Sequence, residues 1–207
     1  MTAAPVGRRT SSQSVDGRTA RRARNVDAVL DAIIELAGEG SFDPTAEEIA
    51  DRAGVSHRSI YRYFDSRAEL LGAAVRRAVE QIAPVLYFDH VGEGSLDVRV
   101  ERFVSARLEV HSAFGPVVRT VLNQGDEAPR ASLDQVSLSM REQLEAHFAA
   151  ELDRLDDADR TITVGVLDSL FHFDALHHLD SSMGHDHDLL ATALRRHLML
   201  HLGRDAG

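Results

Sequence analysis

The chain has 207 residues, 43% hydrophobic and 27% charged, with 23 basic against 33 acidic side chains and a formal net charge of −10 at pH 7. It contains no cysteine, which excludes disulfides, thiolate metal sites and cysteine nucleophiles, and no apolar run reaches the length of a membrane helix. With 5% aromatic residues, no tryptophan and abundant Ala, Leu, Val, Arg, Asp and Glu, the composition favours helices over sheets.

Residues 1–18 are rich in Ser, Gly, Thr and Arg without apolar periodicity, and read as a flexible basic arm. The arginines here precede no apolar h-region, so the segment is not a secretory signal, and a cytoplasmic protein with no membrane association is expected. Arg8, Arg9, Arg18, Arg21, Arg22 and Arg24 face Asp16 alone within residues 1–24, whereas residues 81–207 hold 11 Arg against 21 acids. A basic beginning on an acidic body fits a nucleic-acid-binding head joined to a body with another task. From Thr19 to Glu39, Val26, Val29, Leu30, Ile33, Leu36 and Ala37 recur at helical spacing, and Gly38 and Gly40 end the helix. Phe42 is expected to plug the small core that follows. Thr45-Ala46-Glu47-Glu48 is a capping box, opening a second helix with Ile49, Ala50 and Ala53 on its buried side. Gly54 breaks it. Ser56 is the N-cap of a third helix reaching Phe64, with Val55 and Ile60 at the positions of a hydrophobic staple. Ser66 and Glu69 form a further box opening a fourth helix, which Pro84 is expected to stop or kink.

Beyond a loop at 90–95, a helix with Val100, Phe103, Val104 and Leu108 is expected to end near Gly115-Pro116. A short helix over 117–123 and a loop over 125–130 follow. Then come a long amphipathic helix over 132–155, a strongly apolar one over 158–179, a loop over 180–187 and a last helix over 188–202. The prediction is an all-α chain of about nine helices. Three of them form an N-terminal helix-turn-helix domain over 19–65, and residues 66–207 form a helical body.

The segment from Thr45 to Leu70 resembles the DNA-binding signature of the tetracycline-repressor (TetR) family. The matching elements are Ile49-Ala50, Ala53-Gly54-Val55-Ser56, Ile60-Tyr61, Tyr63-Phe64 and Leu70-Leu71; Arg67 stands where the family commonly has Lys, and both bind phosphate. A helix fits the major groove and reads base edges with its N-terminal residues. With Ala50, Val55, Ile60 and Phe64 needed inside, helix three turns His57, Arg58, Ser59, Tyr61, Arg62 and Tyr63 outward, with no carboxylate among them. Geometry and family position make His57, Arg58 and Tyr61 candidates for base edges. Thr45, Ser56, Ser59, Tyr63 and Arg67 are candidates for phosphates, which position without specifying. The partner implied is double-stranded DNA with a pseudo-palindromic operator. The basic arm is a candidate for a neighbouring minor groove.

One head touches few base pairs, so a homodimer is expected. In the family resembled, the last two helices of each subunit form the interface; here Ile162, Val166, Leu170, Leu190, Leu194 and Leu198 are the apolar candidates, or they complete the monomer core. The resemblance also makes residues 66–207 a helical effector-binding and dimerisation domain, with a small-molecule effector cavity whose occupancy releases DNA. Phe103, Arg107, Phe114, Met140, Phe148 and Phe171 are its candidate lining, each also an ordinary core residue. Seven of the 11 histidines lie between 172 and 201. They read as surface and interface polar groups, as a response to metal such as Zn²⁺ or Ni²⁺, or as a pH-sensitive interface. Their spacing defines no ligand set, so no metal site or cofactor is assigned. No G-x-S-x-G, phosphate-binding glycine loop or H-E-x-x-H is present, and no enzyme is expected. The combined expectation is a transcriptional regulator, a repressor released by its effector, with an activator of the same fold as the alternative.

Overall fold

The computed structural model describes residues 11–125 and 127–203; residues 1–10, the outer part of the expected arm, lie outside the described residues. Among the described residues there are ten helices and no strand. They are α1 (Ser11–Gly38), α2 (Ala46–Ala53), α3 (His57–Tyr63), α4 (Arg67–Leu86), α5 (Leu96–Gln124), α6 (Glu127–His147), α7 (Ala149–Leu152), α8 (Asp157–Leu170), α9 (Phe173–Ser182) and α10 (His187–Leu202). None is long and apolar enough to cross a membrane. α1 starts at Ser11, so residues 11–18 are helical rather than part of a loose arm.

Three apolar clusters organise these helices. The first joins α1, α2, α3 and the start of α4 through Val29, Ile33, Ile49, Ala50, Ile60, Phe64 and Leu71. The second packs α4, the C-terminal half of α5 and α6 through Val75, Leu86, Val110, Phe114, Val117, Val121 and Met140. The third joins the N-terminal half of α5 to the end of α6, α7, α8, α9 and α10 through Phe103, Phe148, Leu167, Leu176, Leu194 and Leu198. Helix α5 therefore runs from the far end of the body to the head.

Several expected boundaries are displaced. Pro116 lies inside α5, which continues to Gln124 instead of dividing into two helices. A proline inside a helix costs about 3 kcal/mol, but Val117, Val118 and Val121 are all buried, and each such side chain contributes roughly 1.5–3 kcal/mol. Pro84 is likewise passed, since α4 reaches the buried Leu86. The long helix expected over 132–155 begins earlier, at Glu127 inside the expected loop, and breaks at Phe148. There the His147 carbonyl accepts from Arg99 Nη1 at 2.9 Å. The apolar segment over 158–179 divides between Phe171 and Phe173. Phe171 packs edge-on against Phe103 at 5.0 Å in the third cluster, and Phe173 against Phe114 at 5.5 Å in the second. Residues two apart point to different sides of a continuous helix, and the break lets each ring reach its own cluster. Phe42 is half-buried, under the Arg119 guanidinium of α5 at 4.7 Å, so it faces the body rather than plugging the head.

Candidate functional site

The entry to α2 is closed by the expected reciprocal box. Thr45 Oγ1 accepts from the Glu48 N–H at 3.2 Å, and Glu48 Oε2 accepts from the Thr45 N–H at 2.7 Å and hydroxyl at 2.8 Å. Those bonds hold the Glu48 carboxyl below its usual range. The Thr45 hydroxyl is thus used by the cap. Gly54 takes the left-handed φ of 64° that glycine adopts at no steric cost, and Val55 N–H returns to the Ala50 carbonyl at 3.0 Å. Arg52 fastens α2 to the end of α1 through Glu39 at 2.7 Å and Glu35 at 3.4 Å.

From this turn α3 projects His57, Arg58 and Tyr61, all exposed, with Tyr61 at 64%. The His57 ring meets Tyr61 edge-on at 5.0 Å. Ser56 stands at the N-cap but makes no capping bond; its hydroxyl pairs with that of Ser59 at 2.8 Å. Two expected phosphate candidates are placed differently. Tyr63 is buried at 8% exposure, and its hydroxyl accepts from Asn25 Nδ2 at 3.0 Å and Arg62 Nη2 at 3.2 Å, so it registers α3 on α1. The Asn25 bond, and then Arg62, hold its phenol below the usual range. Its i+3 spacing from Ile60 already places it on the buried face. Arg67 is turned inward too. It donates through Nη2 to Asp43 at 2.7 Å, through Nη1 to the Pro44 carbonyl at 3.1 Å and through Nε to Gln124 at 3.0 Å.

The fold adds residues to this face that sequence reasoning did not assign. Arg18, Arg21, Arg22 and Asn25 of α1 join Ser56, Ser59 and Arg62 around an open cleft of about 760 Å³ with no carboxylate in its lining. The exposed Arg21 and Arg22 thus extend the surface beyond α3. Their helical spacing was legible, with Arg21, Arg22 and Asn25 inside the helix expected from Thr19, but that this side of α1 meets α3 is set by packing between distant segments.

In the body, Phe103, Arg107, Met140 and Phe171 border one small cavity together with Asp168, His172 and Phe173. Phe114 and Phe148, both fully buried, do not: they serve the second and third clusters. The cavity offers about 20 Å³ to the centre of a water-sized sphere, little more than a single water requires. Arg107 is 1% exposed and lies over the Phe103 ring at 4.7 Å. Burial lowers its pKa to about 10, against the opposing pull of Asp168.

The expected interface residues divide. Ile162 at 62% exposure and Val166 at 44% face outward from α8, and Leu170 is half-buried. Leu190, Leu194 and Leu198 are at most 2% exposed and complete the core. The outward apolar residues of α10 are instead Leu189 and Leu200. Among the described residues no group of three or more His, Asp or Glu is arranged to hold a metal ion. His185 Nδ1 bonds the nearly buried Asp180 at 2.7 Å, and His177 contacts Arg119.

Comparison with known proteins places this geometry. Residues 29–74 match the family model described as "Bacterial regulatory proteins, tetR family". The chain is 34% identical over 91 residues to the HTH-type transcriptional regulator BetI of Klebsiella pneumoniae (strain 342), covering 43% of this chain and 45% of that protein. It is 36% identical over 72 residues to the HTH-type transcriptional repressor KstR of Mycolicibacterium smegmatis, covering 34% of this chain and 35% of that protein. The chain thus aligns with less than half the length of these relatives. In fold, it superposes on Salmonella enterica GusR with a TM-score of 0.61 at 20% identity, over 87% of this chain and 96% of that one. A tetR-family transcriptional regulator from Streptomyces coelicolor gives a TM-score of 0.55 at 21% identity, over 88% and 89%.

Proposed function

We propose, from the tetR family match over residues 29–74 and the partial similarity to BetI and KstR, that this chain is a tetR-family regulator, a cytoplasmic, sequence-specific DNA-binding repressor. In this reading it acts as a homodimer and is released from its operator by a small-molecule effector. The observation that carries the reading is the exposed, carboxylate-free surface of α3, held by the Gly54 turn and continued by the α1 arginines. In the complex, His57, Arg58 and Tyr61 meet base edges in the major groove. Ser56, Ser59, Arg21, Arg22 and Arg62 meet phosphates, replacing Tyr63 and Arg67 in that role. Ile162, Val166, Leu189 and Leu200 supply the exposed apolar surface for pairing α8 and α10 with a second copy. The family is one of regulators, and no catalysis is assigned.

The effector belongs in the cavity beside Arg107, which opens by side-chain movement because its present volume admits no larger molecule. Selection of bound duplexes from a random pool is expected to return a pseudo-palindrome with half-sites about one helical turn apart. Absence of retention on every duplex at low ionic strength would end this reading.

A further inference from the structure

Resting on the reading of the Arg107 cavity as the effector site, we propose that the effector is a small monocarboxylic acid with an apolar body, its carboxylate bound by Arg107.

The argument begins with two buried arginines treated in opposite ways. Arg99, 4% exposed, is matched by Glu151 through two bonds of 2.6 and 2.5 Å. Arg107, 1% exposed, has only neutral partners: Nη2 donates to the Met140 carbonyl at 2.9 Å and to Gln143 Oε1 at 2.8 Å. Its Nη1 is enclosed and makes no hydrogen bond. The carboxylate that acts on it, Asp168, is bonded to it nowhere and pairs with Arg141 at 3.7 Å. A buried cation without a counter-ion is costly, and the cost is removed when a charge of opposite sign arrives with matching geometry. A carboxylate does this with two parallel acceptors for a guanidinium fork.

The rest of the ligand follows from the walls. The Phe103 ring lies under the guanidinium, and Met140, Leu144 and Phe171 continue the apolar lining. Unbranched Met140 adapts readily to a guest. The Asp168 carboxylate in the same wall disfavours a second negative charge, which selects a monoacid over a diacid. Ser137, His172 and Phe173 border both this cavity and an outer groove of about 310 Å³, so the α8–α9 break forms the partition a ligand would cross. Helix α5 carries Arg107 and ends at Gln124, which donates to Asp43 beside the head at 2.7 Å. Occupancy at Arg107 therefore has a continuous helix leading to the DNA-binding unit.

The test uses the full chain without DNA. Hexanoate and 3-phenylpropanoate are compared with hexanamide and 3-phenylpropanamide by titration calorimetry and by the shift of the thermal midpoint. The acids are expected to bind at least about tenfold tighter than their amides, the order of a charge-assisted bond. In Arg107→Met that preference is expected to vanish while unfolding stays cooperative. Equal binding of acids and amides, binding of neither, or an unchanged preference in Arg107→Met would each overturn the proposal. The acid–amide comparison on the unaltered chain decides even if the variant fails to fold. Retention on selected duplexes is measured separately. Acid preference without DNA retention would leave this inference standing and remove the regulatory reading, whereas DNA retention without acid preference would do the reverse.

Discussion

Arg67 and Asp43, 24 residues apart, join at 2.7 Å, and Gln124 from the end of α5 bonds both of them. The loop leading into α2, the start of α4 and the C-terminus of α5 thus meet at one side-chain junction between head and body. Arg67 is about one-third exposed and Asp43 three-quarters exposed, so the ion pair itself is worth about 0–1 kcal/mol. Arg67→Ala is expected to lower the thermal midpoint by about 2–4 °C without changing which base pairs are preferred. Calorimetry with duplex selection checks both; a changed base preference would show that Arg67 reaches DNA after all.

Arg58 is exposed on α3, whereas Arg22 lies across the basic cleft on α1. Arg58→Ala is expected to relax preference at one base pair by about 1–3 kcal/mol. Arg22→Ala should weaken binding to all sequences alike and lower the salt slope by about one unit. Anisotropy titrations over single-base operator variants and several salt concentrations separate the two. Identical profiles for both variants would contradict this division.

Arg99 and Glu151 are both buried, and the Arg99 bonds hold the Glu151 carboxyl below its usual range. Arg99→Met strands a buried carboxylate and is expected to destabilise the chain by about 3–5 kcal/mol. Adding Glu151→Leu removes the stranded charge and should recover most of the loss. Denaturant unfolding of the two variants checks this; a double variant no better than the single one would place the cost in packing instead.

His147 is fully buried, its Nδ1 accepting from the Gly92 N–H at 3.1 Å and its Nε2 within 3.0 Å of the Arg99 carbonyl. Burial lowers its pKa against the opposing bond to the Arg99 carbonyl, as it lowers that of His111 against the pull of Asp180, and nearby positive groups add to the lowering in each. Below about pH 6.5 the unfolded chain takes up protons that the folded chain refuses, so stability falls as pH decreases. Thermal midpoints are expected to drop between pH 7 and 5, with a shallower slope in His147→Gln. A flat profile in the parent chain would contradict the prediction.

What the sequence determined by itself was local. The Thr45–Glu48 box, the Gly54 turn and the exposure of His57, Arg58 and Tyr61 depend on neighbours within four residues. The Ser66 cap also formed, although Glu69 returned its bond to Asp65 N–H rather than Ser66. Tertiary structure decided what depends on distant partners. Burial carried α5 through Pro116, and two phenylalanines bound for different clusters divided the segment around His172. Asn25 engaged the Tyr63 hydroxyl from 38 residues away, and Gln124 engaged Arg67 across 57. The unmatched charge of Arg107 belongs to the same class, because a side chain's missing counter-ion is visible only when everything packed around it is in place.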